Sequence, residues 1–168
     1  AASGKPLMFR YWGARLSEED AGAILSACGR EKSWELYPAY GGALYTNPAL
    51  TLVHADGQLT TELVFSSCHS RQLDENRTET IIVLQDKVLP LTVELRFTAF
   101  RQQDIVMQSV TVRNREQGPV IVRQIASAFF SLKAMSYYLT HFHGSSNAEM
   151  WLKEELLTPG IKTIDSKK

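Results

Sequence analysis

At 168 residues, 44% hydrophobic and 21% charged, the chain has the length and apolar content of one ordinary folded domain rather than of a disordered segment. Its 18 basic and 18 acidic residues cancel, so bulk charge gives no argument for binding nucleic acid or an anionic membrane. No apolar run reaches the roughly 18 residues of a membrane-spanning helix, and Ala1 to Lys5 lacks the apolar stretch of a signal peptide; a removed signal or a trimmed start is the alternative.

Leu7 to Trp12 reads as a first strand. Ser17 then precedes three acids and the segment Ala21 to Cys28, which predicts a short helix with a serine cap and Gly29 as its stop. Tyr37 to Pro48 combines adjacent glycines with flanking prolines and reads as a loop, one unusually rich in aromatic and aliphatic residues. Ala49 to His54, the Asp56-Gly57 turn and Glu62 to Ser67 predict a hairpin. Thr78 to Leu84 carries Ile81-Ile82-Val83-Leu84, an unbroken apolar run suited to a strand buried on both faces.

The clearest pattern is Leu91 to Phe100. Leu91, Val93, Leu95 and Phe97 alternate with Thr92, Glu94, Arg96 and Thr98, so one face meets the core and the other meets water. Ile105 to Val112 is a further strand, and Asn114 to Pro119 a turn. Val120 to Leu132 reads as a long strand bent at Ala126-Ser127-Ala128. Tyr137 to His143, Met150 to Leu156 and Ile161 to Asp165 complete the set. Strands joined by short turns, with one short helix, predict an all-β fold, an antiparallel β-sandwich.

Few residues carry obvious chemistry. Cys28 and Cys68 form no CxxC pair; free thiols are expected, with a single disulfide as the other option. Glu18-Glu19, Asp74-Glu75 and Glu154-Glu155 are adjacent pairs in polar settings, and strand neighbours point to opposite faces. They read as solvated charge, not as the facing carboxyl pair, about 5–5.5 Å apart, of a retaining glycosidase. His141-Phe142-His143 puts two imidazoles on one strand face, with His69 or Cys68 as a conceivable third ligand, but two ligands are too few for a structural metal site. No metal or cofactor is expected. No GxSxG elbow occurs, and Gly41-Gly42 lacks the Lys-Ser/Thr of a phosphate loop. Asn76-Arg77-Thr78 fits a glycosylation sequon, a short pattern that recurs by chance.

The loop is the best binding candidate. Sugars stack their C–H faces on aromatic rings, and phenols exchange hydrogen bonds with hydroxyls. Tyr37, Tyr40 and Tyr45 are the rings in question, with Trp34 just before them as a stacking residue. The competing reading is that these rings pin a long loop to the sandwich. Trp12 and Trp151 read as core residues by default.

Several stretches, in order, resemble one known family. They are Tyr11-Trp12-Gly13 with Leu16; Tyr37-Pro38-Ala39-Tyr40-Gly41 with Pro48-Ala49-Leu50; Glu62-Leu63 with Ser67 and His69; and the Leu91 to Phe100 strand. Asp104-Ile105-Val106, Ser109-Val110 and Val112-Arg113-Asn114 follow, then Tyr138-Leu139, Gly144, Glu149, Ile164 and Ser166. The set resembles the front section of the N-terminal β-sandwich, of galactose-mutarotase type, in bacterial α-galactosidases of glycoside hydrolase family 36.

That resemblance implies a parent with a central (β/α)8 barrel, a small C-terminal β-domain and retaining hydrolysis of α-galactosides such as melibiose and raffinose. Both catalytic aspartates would lie on the barrel, so residues 1–168 form one N-terminal domain with no catalytic residue of its own. The implied partners are the barrel, further copies in a homo-oligomer and, through the parent, the α-galactoside; the implied compartment is the bacterial cytoplasm. A chain ending within the family's sandwich would also leave open strand edges that favour pairing. The loop residues Tyr37, Tyr40, Gly41, Leu44, Tyr45 and Thr46 would lie near a substrate pocket. Here the sequence departs from the family. Leu44 and Thr46 stand where many members carry an Asp and an Arg, and Ser146 stands where a Trp is usual. Two other readings remain: a stand-alone carbohydrate-binding module using the same loop, and a small mutarotase-type enzyme with a His/Glu pair such as His141 and Glu62.

Overall fold

The structure is a computed structural model that describes residues 4–14, 16–27, 34–42, 47–132 and 135–164. It divides into two compact units, Ala1–Ser131 and Leu132–Lys168. The elements are α1 (Glu18–Ala27), β1 (Leu50–Val53), β2 (Leu63–Gln72), β3 (Arg77–Asp86), β4 (Leu91–Phe100), β5 (Ile105–Asn114), β6 (Ile121–Ile125), β7 (Tyr138–Ser145) and β8 (Ala148–Leu156). The fold is all-β, and no described helix is long and apolar enough to cross a membrane.

In the first unit, β2-β3-β4-β5 form an antiparallel four-stranded sheet in sequence order, and β1 pairs antiparallel with β6. Apolar residues of the two sheets make one core. Leu50 and Leu52 come from β1, Leu63 from β2, Leu84 from β3, and Leu91, Val93 and Leu95 from β4. The period-two pattern of Leu91 to Phe100 therefore does what it predicts: its odd positions face inward, although Phe97 is only partly buried. Helix α1 also forms as expected. The Ser17 hydroxyl accepts the Asp20 backbone N–H at 3.1 Å, and three acids occupy the first turn. Gly29 lies outside the described residues.

Trp12 and Trp151, expected in the core, are 51% and 62% exposed, and five expectations about the strands are corrected. Leu7 to Trp12 forms no strand; it is held to Trp34–Leu36 by one bridge, Met8 to Glu35, and two backbone bonds. Pro38, just beyond, has no N–H with which to extend that ladder. The Asp56-Gly57 turn is present, with Gly57 at φ +86°, but its flanks do not pair as a hairpin. β1 is taken by β6, and β2 leaves for the other sheet to pair with β3 across the turn built on Asp74, whose Oδ1 accepts the N–H groups of Asn76 and Arg77.

The run in β3 is not buried on both faces. Leu84 and Ile82 face the core, while Ile81 and Val83 share the outer face with charged neighbours. The long strand expected to Leu132 ends at Ile125, because β1 begins at Leu50 and offers no further partner; Ala126 donates its N–H to Ala49 instead. Residues 161–164 are irregular beyond Pro159-Gly160, and Asp165 lies outside the described residues.

The outer face of the four-stranded sheet carries a charge ladder. Arg71 and Arg96 both bind Glu79, at 2.8 and 2.9 Å, Arg96 also binds Glu94 at 2.8 Å, and Arg113 reaches Glu94 at 3.5 Å. Burial alone would raise the Glu79 carboxyl, but Arg71 and Arg96 outweigh it and hold it below its ordinary 4.5. Arg96, against burial and with Arg113, does the same for Glu94. A carboxylate with a depressed native value binds fewer protons folded than unfolded. Its stabilisation is complete above 4.5 and is lost as pH falls through the lowered native value. Urea midpoints should therefore fall in that acid window, and Arg96→Gln should make the fall shallower while leaving the cooperativity of unfolding unchanged.

In the second unit, β7 and β8 make an antiparallel hairpin with Asn147 at φ +68° in its turn. The two strands expected here are present and extended at the turn. Tyr138, Phe142, Leu152 and Leu156 lie exposed on one face; His141, His143, Trp151, Lys153 and Glu155 share the other.

Candidate functional site

The chain enters the glycine loop from Tyr37, which is 1% exposed and donates its phenol hydrogen to the Ala126 carbonyl at 2.7 Å. Burial, partly opposed by that bond, pushes the phenol up to about 12. Tyr37 is thus a core ring that anchors the loop. Trp34 is partly buried, and its carbonyl accepts the Phe9 N–H. Tyr40 is the described loop tyrosine at the surface, 49% exposed.

The loop backbone is clamped on two sides. Tyr40 donates its N–H to Leu50 at 2.9 Å and accepts the Thr61 N–H at 2.8 Å, while Pro38 accepts from Ala49 and Leu50. Gly41 sits at φ +91° against Thr60: a Cβ there would lie 2.6 Å from the Thr60 methyl and 3.0 Å from its Cα. Only glycine suits this backbone conformation at this approach. Leu44, Tyr45 and Thr46 lie outside the described residues, so the structure brings together Tyr37, Tyr40 and Gly41 of the predicted set.

Behind the loop stands a polar group that the sequence reading missed. His54, 2% exposed, bonds Glu116 through Nδ1 at 2.8 Å and Thr61 through Nε2 at 2.8 Å. Glu116 also accepts the Ala55 N–H at 2.9 Å. The usable signal was parity: His54, one residue past β1, continues the alternation of Leu50 and Leu52, which puts the imidazole on the core side, where it needs partners.

The other titratable groups stay apart. Glu154 and Glu155 occupy opposite faces of β8, with Glu154 accepting from Thr140 and Glu155 paired with Lys162. His141 and His143 lie 6.0 Å apart by ring centres, and among the described residues no group of three or more His, Cys, Asp or Glu could hold a metal. Cys68 is a free, exposed thiol on β2; Cys28 lies outside the described residues. An apolar groove of about 380 Å³ lies where Met8, Tyr11, Trp12 and Ile24 meet Ile82 and Phe97. The described part of the loop thus carries one surface phenol, that of Tyr40, on a backbone bonded to Leu50 and Thr61.

Comparison with known proteins agrees in sequence and in fold. The chain is 24% identical over 161 residues to the bifunctional α-galactosidase/sucrose kinase AgaSK of Mediterraneibacter gnavus, covering 84% of this chain and 17% of that protein. It is 23% identical over 146 residues to α-galactosidase AgaA of Geobacillus stearothermophilus, covering 79% of this chain and 20% of that protein. The chain therefore spans about a fifth of the length of the curated relatives it matches. The solved galactosidase domain of AgaSK superposes with a TM-score of 0.71 at 23% identity, over 76% of this chain and 20% of that one. The glycosyl hydrolase family 36 N-terminal domain model matches residues 5–168, and the chain belongs to that family.

Proposed function

We propose that residues 1–168 serve as a non-catalytic N-terminal domain of an α-galactosidase, packing against a (β/α)8 barrel in the same polypeptide. The observation that carries this reading is the match of a family 36 N-terminal domain to nearly the whole chain, while the matched α-galactosidases are about five times longer. The domain takes part in homo-oligomer formation, and its glycine loop, with Tyr40, Gly41, Leu44, Tyr45 and Thr46, borders a substrate pocket. With Leu44 and Thr46 in place of an Asp and an Arg, that border is aromatic and uncharged. Trp34 acts at its base. The free thiol of Cys68 suits a reducing compartment such as the bacterial cytoplasm.

The test is to express the full reading frame of the parent gene beside the 168-residue chain and to assay both on an aryl α-galactoside. The full product should hydrolyse it and the chain alone should not, and Tyr40→Ala in the full product should raise KM. Hydrolysis by the chain alone that tracks protein through purification, and disappears on mutating one of its own carboxylates, overturns the reading. So does a frame that stops at Lys168.

A further inference from the structure

The geometry points to His54, Thr61 and Glu116 as positioning residues that fix the backbone at Tyr40 and Gly41 of the glycine loop. The path is continuous. Glu116 sits in the turn after β5, where its own N–H donates to Asn114 Oδ1 at 2.8 Å and Asn114 in turn donates to the Gly118 carbonyl at 2.9 Å. The turn is thus braced before it reaches the loop. One Glu116 oxygen takes His54 Nδ1 and the other takes the Ala55 N–H. Facing a carboxylate, Nδ1 carries a proton. Nε2 meets the Thr61 hydroxyl, and Thr61, fully buried, donates its N–H to the Tyr40 carbonyl. Thr60, next in the chain, is the surface on which Gly41 rests.

Stability alone does not account for this arrangement. His54 continues the inward row of Leu50 and Leu52, where another aliphatic side chain would pack. A buried imidazole–carboxylate pair loses solvation and holds a fold no better than apolar packing does. What it adds is direction, because hydrogen bonds fix angles and distances that apolar contacts leave loose. Here they fix the strand end, the turn and the Thr60-Thr61 step on which the loop lies. The inference rests on the proposal that the loop is a working surface.

The test is amide hydrogen exchange on the 168-residue chain, comparing wild type with Glu116→Ala, Glu116→Gln and Thr61→Val. In Glu116→Ala and Thr61→Val the Tyr40 and Thr61 amides should exchange roughly tenfold faster, with Val93 and Leu95 within about twofold of wild type, since local opening is separable from global unfolding. Glu116→Gln keeps one of the two acceptors and sets an amide NH2 against the other donor, so it should recover part of the protection. Equal acceleration at Val93 and Leu95 makes these residues general stabilisers and overturns the inference. So does unchanged exchange at Tyr40 and Thr61, and so does loss of folding in both Glu116→Ala and Thr61→Val. None of these outcomes depends on galactoside hydrolysis, so the positioning role and the proposed function fail separately.

Discussion

Replacing Leu95 with alanine is expected to lower the free energy of unfolding by about 2–5 kcal/mol, the range for deleting a fully buried leucine. Leu95 is 0% exposed at the middle of β4, with Ile82 on one neighbouring strand and Val110 on the other. It belongs to the same core as Leu50 and Leu52 of the opposing sheet. The lost methyl groups forfeit both their transfer energy and the contacts of the walls left behind. β4 is hydrogen-bonded on both sides, so the cavity cannot close by moving the strand. Urea unfolding should show a lower midpoint with an unchanged slope. Val106→Ala is the control: it lies on the edge strand of the same sheet, 42% exposed, and should stay within about 0.5 kcal/mol of wild type. Comparable losses for both would mean that the core lies elsewhere than between these sheets.

That core was legible because burial writes a period into the sequence. Leu91, Val93 and Leu95 announce their face by alternation, and Ser17 announces the helix by its hydroxyl and the acids after it. The failures share one cause, which is that pairing is decided at long range. Nothing near Ala49 to His54 says that Ile121 to Ile125 will outcompete the segment just across the Asp56-Gly57 turn. The end of β6 is likewise set by where β1 begins, not by the apolar residues that follow Ile125. In Ile81 to Leu84 the run read as doubly buried, yet Arg71, Arg96 and Arg113, each from a different strand, turn the outer face into a charge ladder. Within the loop, the aromatic cluster was visible as a set, but Tyr37 and Tyr40 part company: one ring is enclosed with its phenol bonded to Ala126, the other lies at the surface. The support of the loop escaped notice because Glu116 reaches His54 across 62 positions of sequence.

Gly41→Ala carries the second large effect and joins stability to the proposed binding loop. At φ +91° an alanine is strained, a cost of about 1–3 kcal/mol. Its Cβ would also press to 2.6 Å from the Thr60 methyl. Thr60 cannot withdraw freely, because Thr61 is bonded to Tyr40 through its backbone and to His54 through its hydroxyl. Gly57→Ala separates the two causes: Gly57 has φ +86°, but a Cβ there would have no atom within 4 Å, so it meets the conformational cost without the collision. The loss for Gly41→Ala should exceed that for Gly57→Ala. Thr60→Ser, which removes the colliding methyl, should recover part of the difference when combined with Gly41→Ala, and a double-mutant cycle measures that coupling directly. Equal losses at the two glycines, with no coupling to Thr60, would mean that the loop moves off Thr60 without cost. The backbone bonds to Tyr40 would then not hold its ring in place, and the proposed pocket border would have no fixed geometry to offer a sugar.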